Sequence, residues 1–427
     1  MELVIGKVDR EVVENLKYTL KTAVETTPFW REKFSGIDVE SLKPEDLAEL
    51  TDRVFIEPRD LHRMEEVWPD YIRRPGIFYA VMRTSGTTGR PKRIPYTRDD
   101  KIRGARQIEG WTREYLDKGD RMASFLPQLP SSSGIYLFGA FDTLNVKSAY
   151  YQVPISFIHD RNMLLRELED IKPTALLCLT TTAYNLGLLL PDSIKKDIQT
   201  IGVGGETLTP ELADAILDLF ENAVIIDNYA STEDAMTGYR VIERGKTTPF
   251  QFKESILVLK DYEDNYEQYK RIYITKVMRE GELTGLPLFN YNIGDLARVE
   301  NGKVRNIIRT KDVISLAGAK LHVDQVMEIV YNHPDLVDFV IIYHPLSPEN
   351  PRPKAIIRVA YKERKPAGIE DEIRERIYEA NNPVRYEVEE SKQAELVIEA
   401  VPFEKLREGL TTKPGKTKRI YIVGKDL

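Results

Sequence analysis

Between Thr84 and Lys92 the chain reads TSGTTGRPK, residue types that suit the holding of phosphate. Gly86 and Gly89 can take positive φ at no steric cost, so that successive backbone N–H groups turn inward as an anion-binding nest. Thr84, Ser85, Thr87 and Thr88 add hydroxyl donors, and Arg90 and Lys92 add positive charge. The apolar run Ile77–Met82 predicts a strand leading in, Ile94–Tyr96 predicts a second strand leading out, and Thr97 with Asp100 has the spacing of a helix cap. A loop between two strands is not a Walker loop, which needs GxxxxGK[ST] followed at once by a helix. An ordinary polar turn of the same composition is the alternative, and the remaining motifs have to decide between the two.

The elements that would position such a loop follow from the rest of the chain. A length of 427 residues sets an expectation of two or three domains. Strand-like and helix-like segments alternate: Ala175–Leu179 strand, Ala183–Leu190 helix, Thr200–Val203 strand, Pro210–Asn222 helix, Ala223–Ile226 strand. This alternation predicts a parallel sheet covered by helices, whose ligands lie beyond the carboxyl ends of the strands. At two of those ends stand further polar motifs. Gly202-Val203-Gly204-Gly205-Glu206 offers bare backbone to a flat ring, and Asp227-Asn228-Tyr229-Ala230-Ser231-Thr232-Glu233 follows the Ala223–Ile226 strand. Later, Leu288–Asp295 ends in a carboxylate that can accept from two vicinal hydroxyls at once. From about residue 313 onward the pattern is that of a separate small α+β domain.

Composition bounds the partners. The formal net charge of −7 argues against general nucleic-acid binding, while local basic residues leave room for an anionic nucleotide. Cys178 is the only cysteine, which excludes an intrachain disulfide and a Cys-cluster metal site, and its apolar surroundings place it in a core. No run approaches 18 apolar residues and the N-terminal MELVIGKVDREVVE lacks a basic and then apolar leader, so no membrane segment and a cytoplasmic location are expected.

The loop and the later motifs, taken in order, resemble those of the acyl-adenylate-forming superfamily of acyl-CoA synthetases, luciferases and peptide-synthetase adenylation domains. The passage Thr26–Leu50 resembles the N-terminal signature of its phenylacetate-CoA ligase branch. The resemblance implies an α/β fold with a large N-terminal domain of helix-covered, mainly parallel sheets (1–309) holding nucleotide and acid. A small mobile α+β domain (310–427) would follow, its hinge at the start. By the same resemblance Thr84, Ser85, Gly86, Thr87, Thr88, Gly89 and Lys92 bind the ATP phosphates. Gly205, Glu206, Asn228, Tyr229, Asp295 and Arg309 would bind adenine and ribose, with Tyr229 stacked on the adenine. Thr232 would contact the α-phosphate and Glu233 would hold Mg2+. The pattern RTKDVISLAGAKL looks like the hinge motif, with Lys311 as hinge residue and Gly318 in the loop that follows. Gly415-Lys416-Thr417 resembles the terminal Gly-Lys motif, making Lys416 the catalytic lysine. With Gly409 it imitates a Walker loop, but five residues rather than four separate the glycines and a strand-like run follows.

Tyr136, Phe138, Phe141 and Gly204 are candidates for the acid pocket, although aromatics at such spacing serve equally as core. Two positions depart from the family pattern, Ala230 in place of Gly and Ile293 in place of Thr, and Asn290 and Asn292 are unusual. The cysteine-rich turn that many relatives carry before the hinge is replaced by Glu300-Asn301-Gly302-Lys303, so structural zinc is not expected. What the resemblance implies is ligation of a small carboxylic acid, aryl or arylacetic, to CoA through an acyl-adenylate, using ATP and Mg2+, with a homodimer expected by analogy. Two other readings stay open: the same adenylation with a carrier protein or deazaflavin coenzyme as acceptor, and a nucleotide-binding protein without ligase activity.

Overall fold

A computed structural model describes residues 3–6, 9–83, 92–116, 119–126, 133–262, 269–309, 313–317, 319–345, 350, 352–410 and 419–423. The chain divides into two compact units, one of residues 1–207 and 220–307, the other of residues 208–219 and 308–427.

In the first unit the strands are β1 (Leu3–Ile5), β2 (Phe78–Arg83), β3 (Arg93–Thr97), β4 (Arg121–Ser124), β5 (Ala149–Gln152), β6 (Ala175–Leu179) and β7 (Thr200–Gly204). They continue as β8 (Val224–Ser231), β9 (Ala235–Glu243), β10 (Lys246–Thr247), β11 (Ser255–Asp261), β12 (Tyr269–Lys276), β13 (Tyr291–Glu300) and β14 (Lys303–Arg309), whose last two residues fall in the second unit. A seven-stranded sheet has the order β10-β9-β8-β7-β6-β4-β5. Its run from β8 to β5 is parallel, as the strand–helix alternation predicts, and β9 and β10 add to it antiparallel. Every residue of β6 is buried, the signature of a parallel strand covered on both faces. A second, five-stranded sheet runs β1-β11-β12-β13-β14, antiparallel from β1 to β13, and β2 and β3 form an antiparallel pair on either side of the Thr84–Pro91 segment.

The helix Arg98–Tyr115 starts from a reciprocal cap: Asp100 N–H donates to Thr97 Oγ1 at 3.0 Å, and Thr97 N–H donates to Asp100 Oδ2 at 3.0 Å. Asp100 does more than cap. Its buried carboxylate also accepts from Thr284 Oγ1 and Gly285 N–H, each at 2.8 Å, and pairs with the equally buried Lys276 ammonium of β12 at 3.3 Å. Burial alone would raise the Asp100 pKa, but Lys276 and the hydrogen bonds outweigh it and hold the group below its ordinary value.

The N-terminal leader packs where it supports later strands. Asp9 caps the helix Arg10–Thr26, and Pro28 restarts the chain as Pro28–Lys33, since proline is suited to a first helical turn. Trp30 Nε1 donates to the Pro287 carbonyl at 3.2 Å, and Trp30 and Phe34 meet Phe289 edge-on at centroid separations of 4.9 and 5.6 Å. The aromatic anchors therefore fix the segment that enters β13.

The second unit holds the hairpin β15 (Val313–Leu316) and β16 (Ala319–His322), then β17 (Leu336–His344), β18 (Lys354–Tyr361), β19 (Glu395–Pro402) and β20 (Ile420–Ile422). Its sheet has the order β19-β18-β17-β20, with the helices Val323–Tyr331 and Ile369–Ala380. Asp338 of β17, buried, accepts from Arg407 Nη2 at 2.9 Å and Tyr331 Oη at 3.0 Å and also pairs with Arg419. Burial opposes its charge, yet Arg419 and Arg407 outweigh burial and lower its pKa. No helix among the described residues is long and apolar enough to cross a membrane.

Candidate active site

The stretch Asp227–Ser231 lies inside β8, not beyond it as the shorter Ala223–Ile226 expectation has it. Pairing with parallel β7 ends at Gly204 opposite Asn228, but antiparallel β9 continues to pair as far as Ser231 opposite Ala235, and this carries the strand four residues past Asp227. Thr232, Glu233 and Asp234 then form the turn into β9, where Ala235 takes φ +67° to reverse the chain. Ala230, at a place where the family pattern has Gly, lies at a break in the pairing register and does not take positive φ, so its Cβ is accommodated.

Glu233 is the centre of the site. Its side chain is 8% exposed, and its Oε1 is engaged twice: by an ion pair from Lys92 Nζ and by Tyr291 Oη at 2.9 Å. Lys92 Nζ also donates to Tyr291 Oη at 3.2 Å. The three groups come from the residue just before β3, from the β8–β9 turn and from the first residue of β13. Burial, then the adjoining Glu233 carboxylate, push the Tyr291 phenol well above its ordinary value and keep it a donor. On the neighbouring residue, the Thr232 carbonyl accepts from Tyr96 Oη of β3. Two buried tyrosines thus hold successive residues of one turn.

Asp295 reaches the same region through a bulge. Asn292 pairs with Tyr273 and Leu296 with Arg271, so three residues of β13 lie opposite the single residue Ile272 of β12. Gly294 takes φ +81° there, a conformation that costs a side-chain-bearing residue dearly, and the extra residues re-aim Asp295. Asp295 Oδ2 accepts from Tyr229 Oη of β8 at 2.9 Å. Asn290 and Asn292 have structural duties. Buried Asn290 donates from Nδ2 to the carbonyls of Leu47 and Val54 at 2.9 and 3.1 Å, and Asn292 Oδ1 accepts from Gly294 N–H at 3.2 Å. Ile293 packs with the hydrophobic cores.

At the end of β7, a Cβ on Gly204 would lie 2.8 Å from the Asn228 carbonyl oxygen, so the close approach of β8 requires glycine there. The Asn228 side chain donates to the Val203 and Ile226 carbonyls at 3.2 and 3.3 Å, while its buried Oδ1 has no hydrogen-bond partner among the described residues. That orphaned acceptor suits a donor such as the exocyclic amine of a purine. Gly205 and Glu206 continue from β7, and the Glu206 carbonyl accepts from Thr180 Oγ1 at 3.4 Å.

Of the other expected residues, some are described and some lie outside the described residues. Thr84, Ser85, Gly86, Thr87, Thr88 and Gly89 lie outside them, as do Lys311, Gly318 and Lys416. Arg309 is the last residue of β14. Tyr136, Phe138 and Phe141 share the helix Ser133–Leu144. Tyr136 is buried and donates to the Asp100 carbonyl at 2.7 Å, Phe141 is buried against Trp111 and Tyr150, and Phe138 is half exposed beside Tyr150. Tyr291 and Tyr96 are not among the residues picked out from sequence. Tyr291 stands four residues before Asp295 within the motif, which was its only signal.

Among the described residues no group of three or more His, Cys, Asp or Glu could hold a metal by itself. A single buried carboxylate beside a lysine does fit Mg2+, which takes one or two carboxylates and completes its shell with phosphate oxygens and water.

The family model described as AMP-binding enzyme matches residues 26–253. No curated protein matches the sequence. Among solved structures, 2-hydroxyisobutyryl-CoA ligase in the postadenylation state with 2-HIB-AMP superposes with TM-score 0.72 at 16% identity, over 97% of this chain and 89% of that one. The same ligase with 2-HIB-AMP and CoA gives TM-score 0.57 at 18% identity, over 97% and 89% of the two chains. O-succinylbenzoate coenzyme A synthetase from Bacillus subtilis, in complex with AMP, gives TM-score 0.51 at 17% identity, over 79% of this chain and 67% of that one. The fold is that of the adenylate-forming enzymes, and the chain belongs to the AMP-binding enzyme family.

Proposed function

We propose that the protein is an ATP-dependent carboxylate–CoA ligase of the phenylacetate-CoA ligase branch, forming an acyl-adenylate and then a thioester. The observation that carries this reading is the convergence of three sequence-distant motif segments on one cluster: Lys92, the Tyr229–Glu233 stretch and the Tyr291–Asp295 stretch. In this reading the carboxylate of the acid attacks the α-phosphorus of ATP and pyrophosphate leaves. The thiol of CoA then attacks the acyl carbon and AMP leaves with the former carboxylate oxygen. Neither step needs a protein nucleophile, so the chain has to supply alignment and charge stabilisation. Asp295 and Tyr229 would orient ribose and adenine, Asn228 and Gly205–Glu206 would line the base, and Thr84–Gly89 with Lys92 would hold phosphates. Thr232 would meet the α-phosphate, and Glu233 would hold Mg2+, which when bound neutralises phosphate charge. Lys416 would bridge the acid carboxylate and the α-phosphate, on a C-terminal domain hinged at Lys311.

CoA as acceptor is supported by the 2-hydroxyisobutyryl-CoA ligase complex that contains both an acyl-AMP and CoA. An aryl or arylacetic acid is supported by the aromatic helix Ser133–Leu144, with Tyr136 and Phe141 on its buried side. The structural duties of Asn290 and Asn292, the packing of Ile293 and the accommodation of Ala230 support a catalytic reading over a non-catalytic one. The test is pyrophosphate release from ATP and Mg2+ across aryl, arylacetic and short aliphatic hydroxy acids, with and without CoA. Acid-dependent release with stoichiometric AMP and thioester is expected. Release with no CoA turnover would transfer the reading to another acceptor, and no release with any acid would overturn it.

A further inference from the structure

We infer that Tyr291 is a positioning residue for the Glu233 carboxylate, fixing Oε1 so that Oε2 faces the cation that accompanies the nucleotide. Both side-chain contacts to Glu233, from Lys92 and from Tyr291, fall on Oε1, and Oε2 accepts no hydrogen bond among the described residues. A carboxylate free to rotate about its last bond would present either oxygen, and the ordering would have to be supplied when the cation binds. Tyr291 removes that freedom. Its ring is fully buried, it opens β13 behind the Trp30–Phe289 packing, and its hydroxyl can do two things at once, accepting from Lys92 and donating to Glu233. The turn is held from its other side by Tyr96 on the Thr232 carbonyl, so Glu233 cannot follow a shift of its backbone. Lys92 carries its ammonium on a long four-carbon stem that can exchange Glu233 for phosphate, whereas the phenol stays where its strand puts it.

This inference rests on the assignment of Glu233 as the metal carboxylate, and the experiment separates the two. The affinity of a fluorescent ATP analogue is measured with Mg2+ and with EDTA for the wild type, for Tyr291→Phe and for Tyr71→Phe. Tyr71 is another buried tyrosine, whose hydroxyl bonds the Thr284 carbonyl at 2.8 Å. Tyr291→Phe is expected to weaken binding in Mg2+ by about 10-fold or more, the effect typical of removing a group that orients a metal ligand. Binding in EDTA should stay within about twofold of wild type, because only the ordering of the metal carboxylate is lost. Tyr71→Phe is expected to change neither. A metal-dependent wild type matched by Tyr291→Phe overturns the inference alone. Equal losses with Mg2+ and EDTA overturn it by making Tyr291 a merely structural residue. A wild type whose nucleotide affinity ignores Mg2+ overturns the Glu233 assignment and this inference with it.

Discussion

Lys92 and Glu233 are 141 residues apart in sequence and share one ion pair, with Tyr291 completing the group. A buried charge is stable only when paired and hydrogen-bonded, and here the pairing unites two motifs that the resemblance assigns to phosphate and to metal. Lys416 is the proposed group for charge that develops as pyrophosphate leaves, and its effect belongs to one half-reaction. Lys416→Ala should lower the rate of adenylation by about 10²–10³, or about 3–4 kcal/mol, while sparing thioester formation from a supplied acyl-adenylate. The two rates are measured separately, and equal loss in both would contradict the role. Residue types and order made Glu233 and Asp295 legible, because a carboxylate in a motif is chemically conspicuous. Tyr291 was not, since a tyrosine beside apolar neighbours reads as core and only the fold shows where its hydroxyl goes.

The elements deliver these side chains by departures from regular structure. Gly294 bulges β13 toward Tyr229, and the antiparallel β9 prolongs β8 through Ser231 so that Thr232 and Glu233 sit at a tight turn. Alternating strand and helix patterns made the parallel β6–β8 run readable, and the Thr97–Asp100 cap is legible because both partners are local. The β8–β9 pairing and the five-stranded antiparallel sheet leave no local signal, and a bulge depends on the register of a distant partner. Asp100 is the element-scale linchpin: it starts one helix and binds Lys276 and Thr284 at once. Asp100→Asn leaves the Lys276 ammonium buried without its counter-charge and should destabilise the first unit by about 3–5 kcal/mol in urea unfolding at neutral pH. Because the folded state lowers the Asp100 pKa, its stabilisation is present above the ordinary carboxylate value and is lost as pH falls through the folded one. The gap between variant and wild type should therefore shrink on acidification, and a constant gap would contradict the assignment.

At the scale of the molecule, each of the two units carries its own sheet and core. The motifs run along the chain from Thr84 to Lys416 and so draw on both. The succession of strands and helices made a large α/β portion followed by a smaller α+β portion legible. The placement of residues 208–219 with the C-terminal unit was not, because a helix between two parallel strands carries no mark of which core it joins. The central claim is chemical: an oxygen of the acid becomes bonded to the α-phosphorus of ATP. The direct measurement uses an acid that supports turnover, labelled with 18O in its carboxylate, incubated with ATP, Mg2+ and CoA, with the products read by mass spectrometry. One 18O in each AMP is predicted, since thiol attack at the acyl carbon leaves the bridging oxygen on phosphorus. Unlabelled AMP, or label in inorganic phosphate accompanied by ADP, would contradict it.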